Sequence, residues 1–199
     1  MTKIIKEPLS PAWDIPLPVQ KTCLGQEVVI YEGNFLRFLK KGEWEYIQRT
    51  HQGGRIVIVV AVTQENKVIL VEQYRVPVKR KVIEFPAGLV NDEDADVSNE
   101  SLAVAAKREL LEETGYKARR VVKLLEGPVS SGSSADKISM MRAYDLKKVS
   151  KGGGDDMECI VVHEVDLKKV DLWLKKMEKK GYLIEPKVYA GLYFLKNRL

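Results

Sequence analysis

An α+β fold of the α/β/α sandwich type, preceded by a small N-terminal β unit, is the class this sequence predicts. Three observations lead there. β-Branched runs of strand length fill the middle of the chain, one strongly patterned helical segment interrupts them, and further helical segments close the C-terminus. The 199 residues suit one domain with a small appendage, and a hydrophobic content of 45% supplies its core.

The elements follow in order. Residues 1–24 are rich in proline and read as an extended arm. EVVIYEG, FLRFLKKG and EWEYIQRT, between Gln26 and Gln52, read as short strands broken at glycines. Residues 1–52 are therefore expected to form a small β unit, with the main domain over residues 53–199. RIVIVVAVT and KVILVEQYRVPV, joined by QEN, suggest a hairpin, and KVIEFPAG is a short strand stopped by proline and glycine. Residues Ser98 to Thr114, SNESLAVAAKRELLEET, form the clearest helix: Ser98 can cap it, Asn99 and Glu100 fall in its first turn, and Gly115 ends it. VVKLLEG, KISMMRAYDL and MECIVVHEV read as strands, and residues 167–180 and 187–197 as helices.

Several function classes drop out. The longest unbroken apolar run, Ile56 to Val62, is far short of the ~20 residues a bilayer span needs. The N-terminus has no continuous apolar stretch, so no signal peptide is expected. Cys23, in the arm, and Cys159, expected to be buried in a strand, are too few for a disulfide framework. These features point to a soluble, cytoplasmic protein. The net charge of +5 could serve nucleic acid, a membrane surface or a polyanionic small molecule. No basic helix is interleaved with aromatics, so neither nucleic acid nor membrane is expected as a partner. His51 and His163 have no metal-like companions and read as structural.

The chemistry concentrates on the central helix. At helical spacing Glu109, Glu112 and Glu113 share an arc of ~100°. Ala103, Val104, Leu110 and Leu111 fall opposite, towards the core, while Ala105 and Ala106 beside the acids leave room for a bulky ligand. Three clustered carboxylates suit a hard divalent ion such as Mg²⁺, and equally a solvated acidic face.

The string around them separates these readings. From Glu100 the chain runs E-x7-R-E-L-L-E-E-T-G-Y, through Arg108, Glu109, Glu112, Glu113, Gly115 and Tyr116. This resembles the Nudix hydrolase box, G-x5-E-x7-R-E-U-x-E-E-x-G-U with U apolar, at every fixed position after the first glycine. Gly88 precedes Glu100 by eleven intervening residues rather than five, which reads as a polar insertion ahead of an intact helix. From about Trp44 onward, EQYRVPVKRKVIEFPAGLV and the C-terminal IEPKVYAGLYFL resemble the ADP-ribose pyrophosphatase branch of that family.

The resemblance implies an activity and a set of roles. Glu109, Glu112 and Glu113 would hold Mg²⁺, or Mn²⁺, with the Ala87 carbonyl as a further ligand, and Arg108 paired with Glu100 would orient the glutamates. Arg75 would contact the diphosphate, and Glu84 would line the metal and phosphate region. Trp44 and Arg49 would stack on and hold a nucleobase, in some relatives across a homodimer interface built by the N-terminal β unit. Asp156 matches the general base, with Asp155 and Glu158 as alternatives on the same glycine-rich stretch. Asp136 stands where an acidic substrate contact often follows the box, but Ser131–Gly132 replaces the branch's Pro-Gly pair. The expected reaction is hydrolysis of ADP-ribose or a related nucleoside diphosphate sugar, such as ADP-glucose or GDP-mannose, to a nucleoside monophosphate and a sugar phosphate. A Nudix-fold sensor that binds without cleaving is the alternative, although sensors usually lose box glutamates and this chain keeps them.

Overall fold

The structure is a computed structural model, and it describes residues 25–50, 55–90, 100–154 and 159–197. Three strands come first: β1 (Val28–Glu32), β2 (Leu36–Lys41) and β3 (Trp44–Arg49), joined by tight turns into an antiparallel meander of their own. Gly42, at φ 60°, makes the β2–β3 turn in a conformation that favours glycine. Val28 to Tyr31, Phe35, Leu36 and Trp44 on this meander are all exposed.

Two four-stranded sheets follow. β4 (Arg55–Ala61), β7 (Ala87–Leu89), β8 (Tyr116–Pro128) and β9 (Lys137–Lys148) form one, in the order β7-β4-β9-β8. β5 (Lys67–Arg75), β6 (Arg80–Glu84), β10 (Val161–Asp166) and β11 (Leu183–Ile184) form the other, in the order β10-β5-β6-β11. The hairpin expected from β4 and β5 is therefore corrected. The two strands are joined by a tight turn and one bridge, Val62 to Val68, then diverge into different sheets. Both are buried on both faces, so each finds its hydrogen bonds with more distant partners: β4 beside β9, β5 between β6 and β10.

The central helix α1 covers Leu102–Thr114 and lies on the first sheet. Its N-cap is Ser101, whose hydroxyl accepts the Val104 N–H at 3.3 Å; Ser98, expected as the cap, lies outside the described residues. Gly115, at φ 74°, closes it as predicted. Ala105, Ala106 and Leu110 pack with Val57, Val59, Ala61, Met141 and Ala143 from β4 and β9. The expectation that the two alanines open space for a ligand is thus corrected: both are wholly buried, and Val104 is exposed instead. Helices α2 (Val170–Lys179) and α3 (Pro186–Asn197) cover the second sheet, with Val170, Leu174, Val188 and Leu192 joining Ile58, Val60, Leu70, Ile83 and Phe85 in the other core. Cys159, expected to be buried in a strand, is exposed and precedes β10.

Candidate active site

A cleft of about 870 Å³ opens where the N-terminal ends of β4 and β9 meet β6, β7 and α1. Ile56, Ile58 and Ile138 give it an apolar floor. Arg49, Arg75, Glu84, Ala87, Gly88, Arg108, Glu109, Glu112 and Glu113, all singled out in the sequence, line it.

Helix geometry and one guanidinium organise the acidic side. Arg108 donates from Nε to Glu100 Oε1 at 3.2 Å and from Nη1 to Glu109 Oε1 at 2.8 Å and Glu112 Oε2 at 3.2 Å. Its Nη2 reaches the Leu89 carbonyl at 2.8 Å and Glu100 Oε2 at 3.4 Å. Burial alone would weaken this cation. The bonds to Glu100 and the charges of Glu109, Glu100 and Glu112 outweigh that and push its pKa up. Arg108 therefore stays charged and holds three carboxylates at fixed bearings.

Glu109 and Glu113 are themselves buried, at 7% and 5% exposure, so the acidic face is narrower than an open helix stripe. Strand β7 explains how they fit. The Ala87 N–H donates to Glu113 Oε2 at 3.3 Å. A Cβ built on Gly88 would lie 2.0 Å from the Glu109 carboxyl carbon, so glycine here leaves room for the Glu109 carboxylate to lie against the strand. At the helix's other end the glycine-rich stretch docks on freed carbonyls: the Gly153 N–H donates to the Glu113 carbonyl at 2.8 Å and the Gly154 N–H to the Glu112 carbonyl at 3.2 Å. Gly154 also lines the cleft. Asp155, Asp156 and Glu158, the base candidates, lie outside the described residues.

The donor set of three glutamates and a backbone carbonyl is all hard oxygen, which fits Mg²⁺ or Mn²⁺ and does not fit a soft ion. As the side chains stand, no three metal-binding side chains among the described residues converge on one point, and Arg108 engages Glu109 and Glu112. A cation would replace some of those hydrogen bonds.

The remaining candidates fall in two groups. Arg75 Nε donates to Glu84 Oε2 at 2.8 Å, from neighbouring strands β5 and β6. Arg49, on β3, stands 3.6 Å from Asp136, and Arg49 Nε and Asp136 Oδ1 are buried without a hydrogen bond among the described residues. The segment holding Ser131–Gly132 is stitched to β3 by the Ile47 N–H to the Ser133 carbonyl at 3.0 Å and the Ala135 N–H to the Ile47 carbonyl at 2.9 Å. Trp44 is 52% exposed and does not line the cleft. Sequence reasoning missed Glu185 and Lys187, which enter the cleft from the start of α3. Their signal was the parallel pairing of a two-residue strand, which no local pattern carries.

Comparison with known proteins agrees with this architecture. Residues 53–181 match the NUDIX domain. The chain is 35% identical over 133 residues to the methanol dehydrogenase activator of Bacillus methanolicus, a match covering 66% of each chain, just under two thirds of the activator's length. It is 33% identical over 144 residues to the ADP-ribose pyrophosphatase of Bacillus subtilis (strain 168), covering 72% of each. The crystal structure of an ADP compounds hydrolase superposes with a TM-score of 0.68 at 19% identity, over 88% of this chain and 92% of that one, a likeness of fold. A box helix held by its arginine against a glycine strand, on this fold and within this match, makes the chain a member of the NUDIX domain family.

Proposed function

We propose that this protein hydrolyses the diphosphate bond of ADP-ribose or a closely related nucleoside diphosphate sugar, using Mg²⁺ or Mn²⁺. The observation that carries the reading is the set of box carboxylates, Glu109, Glu112 and Glu113, gathered with Arg75 and Arg49 around one cleft. Acids and cations on facing elements suit a substrate with a doubly charged diphosphate between two polar ends.

Glu109, Glu112 and Glu113 with the Ala87 carbonyl would hold the cation, which when bound supplies charge neutralisation and a more acidic water. Arg108 keeps Glu109 and Glu112 oriented, and the Ala87 N–H holds Glu113. Arg75, fixed through Nε by Glu84, offers its guanidinium edge to phosphate oxygens. Asp156 is the proposed base, accepting a proton as the water oxygen forms its bond to phosphorus. The bridging oxygen leaves with the bonding pair on the second phosphate, giving a nucleoside monophosphate and a sugar phosphate. Arg49, which lines the cleft with the buried Asp136 3.6 Å from its Nε, offers a donor to the nucleobase, with Asp136 as its support.

The proposal extends to assembly. Residues 1–52 form the dimerising unit ahead of the catalytic domain, in a cytoplasmic homodimer. The exposed apolar meander supports this, as does Trp44, which is absent from its own chain's cleft and is proposed to stack on the base in the partner's. No described helix is long and apolar enough to cross a membrane.

The test is a Mg²⁺-dependent product assay by chromatography against ADP-ribose, ADP-glucose, GDP-mannose and UDP-glucose. Release of AMP from ADP-ribose is expected. Cleavage of several sugars alike would make the enzyme broad, and cleavage of none would overturn the proposal. Trp44→Ala should raise KM more than it lowers kcat, because stacking binds ground and transition states alike.

A further inference from the structure

The end of the first sheet away from the cleft carries two cations that the chemistry above does not use. Along β9, Ile138 and Met140 belong to the core shared with α2 and α3, and Met141 and Ala143 to the core under α1. Alternation therefore puts Arg142 and Tyr144 on the Ile138 face, past Met140, the last residue that β9 gives to that core. Arg120 pairs with Tyr144 across the β8–β9 ladder and so stands on the same face. Ile138 lines the cleft, and Tyr144 lies six residues further on, about 20 Å away along the strand.

The Arg120 guanidinium lies 4.0 Å and the Arg142 guanidinium 5.1 Å from the centre of the Tyr144 ring, so one phenol carries two cations. Arg120 is exposed, whereas Arg142 is half-buried. Burial pulls the Arg142 pKa down, and the Tyr144 phenol offsets part of this. Its hydrogen bonds to the described residues run from Nη1 alone, to the Val60 carbonyl at 3.0 Å and the Ala143 carbonyl at 3.3 Å. No carboxylate among the described residues forms an ion pair with either arginine. The nearest acid along β9, Asp145, turns to φ 55° and is taken by Arg119, whose Nε and Nη2 reach it at 3.0 and 2.9 Å. Two neighbouring cations, one of them partly desolvated, repel each other until an anion joins them.

The kind of anion follows from the side chains. Two positive charges without an acid suit a dianion better than a singly charged carboxylate. The planar fork of a guanidinium fits paired phosphate oxygens, and two forks on different strands fit a tetrahedral group. Tyr144 spends its ring on the cations, so recognition falls on charge rather than on a stacked base. We propose that Arg120 and Arg142, stacked on Tyr144, form a second anion site for a phosphate group, supplied by inorganic phosphate or by a phosphate monoester. This site is separate from the cleft and does not depend on the reaction there.

The experiment follows the Nε–H signals of Arg120 and Arg142 by two-dimensional NMR, at constant ionic strength and without divalent metal. Inorganic phosphate, AMP and adenosine are titrated into wild type, Arg120→Gln, Arg142→Lys and the cleft variant Arg75→Gln. Phosphate and AMP should shift both signals saturably with Kd near ~1 mM, and adenosine should not. Tighter binding of phosphate than of AMP would mark the free ion as the source, and the reverse would mark the monoester. Arg120→Gln, read at Arg142, should weaken binding by about 10-fold or more, and so should Arg142→Lys, read at Arg120, because an ammonium keeps the charge and loses the fork. Arg75→Gln should match wild type. Should Arg142→Lys fail to fold, Arg120→Gln carries the test, since its side chain is exposed. Absence of a saturable shift, affinity unchanged in both arginine variants, loss of the shift in Arg75→Gln, or adenosine acting as AMP does would each overturn the proposal.

Discussion

Replacing Gly88 with alanine tests the site through a single methyl group. Gly88 pairs with Val57 in an ordinary strand and has no positive φ, so the change brings no backbone strain. The methyl would lie 2.0 Å from both Cδ and Oε1 of Glu109 and 2.3 Å from Oε2. Ordinary contact needs about 3.5 Å, so the carboxylate must retreat by about 1.5 Å. That movement breaks its 2.8 Å bond from Arg108 and takes a proposed metal ligand out of position. The clash falls on the far end of a flexible side chain, so the fold should survive with a loss of about 1–3 kcal/mol. A misplacement of this size costs on the order of 10²-fold in rate. The assay is kcat for nucleotide-sugar cleavage across a Mg²⁺ titration, with thermal melting on the same samples. A folded variant with kcat near wild type and the same Mg²⁺ requirement would refute the seat of the Glu109 carboxylate against Gly88 as the basis of the site.

Three further outcomes are expected. Glu112→Gln should abolish turnover yet leave melting nearly unchanged, because the side chain is half-exposed and glutamine keeps its size and an acceptor oxygen for Arg108; retained activity would remove Glu112 from the metal set. Gly152→Ala should destabilise the protein by about 1–3 kcal/mol and slow turnover, since Gly152 sits at φ 68° and a Cβ there would lie 2.4 Å from the Thr114 carbonyl carbon; an unchanged melting curve would show that the docked segment yields freely. Glu72, buried at 6% exposure, would have its pKa raised by burial, but hydrogen bonds from Lys81 and His163 outweigh this and hold it below the usual range. Its contribution is therefore present above the unfolded value of about 4.3 and lost as pH falls through the folded value. Glu72→Gln should be less stable at pH 7 and lose less on acidification, and parallel melting curves from pH 7 to pH 3 would contradict that.

What the sequence disclosed was whatever depends on residues close along the chain. The box helix and its stop at Gly115 are local, whereas the bonds from Arg108 to Glu109 and Glu112 came only with the structure, the resemblance having implied its pairing with Glu100. The strands were legible as strands, yet β4 and β5 look alike in composition and their separation into two sheets depends on distant partners. Helix pattern alone placed Leu110 in the core but misjudged Val104, which is exposed, and the two alanines, which are buried. Ala105 and Ala106 are turned inward because Glu109 and Glu113, the groups expected to be outermost, are themselves drawn under β7. Glu185 met Glu84 through a strand of only two residues, about a hundred positions apart, which no window of sequence spans.

The Nη2 nitrogen of Arg108 has a consequence for how such sites vary. It holds the Leu89 carbonyl and the Glu100 carboxylate together, so the chain leaves the glycine strand and returns to the helix at two points fastened to one guanidinium. The path between those points is then free to change length without disturbing the carboxylates. Lengthening it from five intervening residues to eleven adds only about 0.7 kcal/mol of closure entropy. The family's pattern, written as a fixed spacing along the chain, is in this protein a spacing in space. Insertions between Val90 and Glu100 should be tolerated where a change at either end is not.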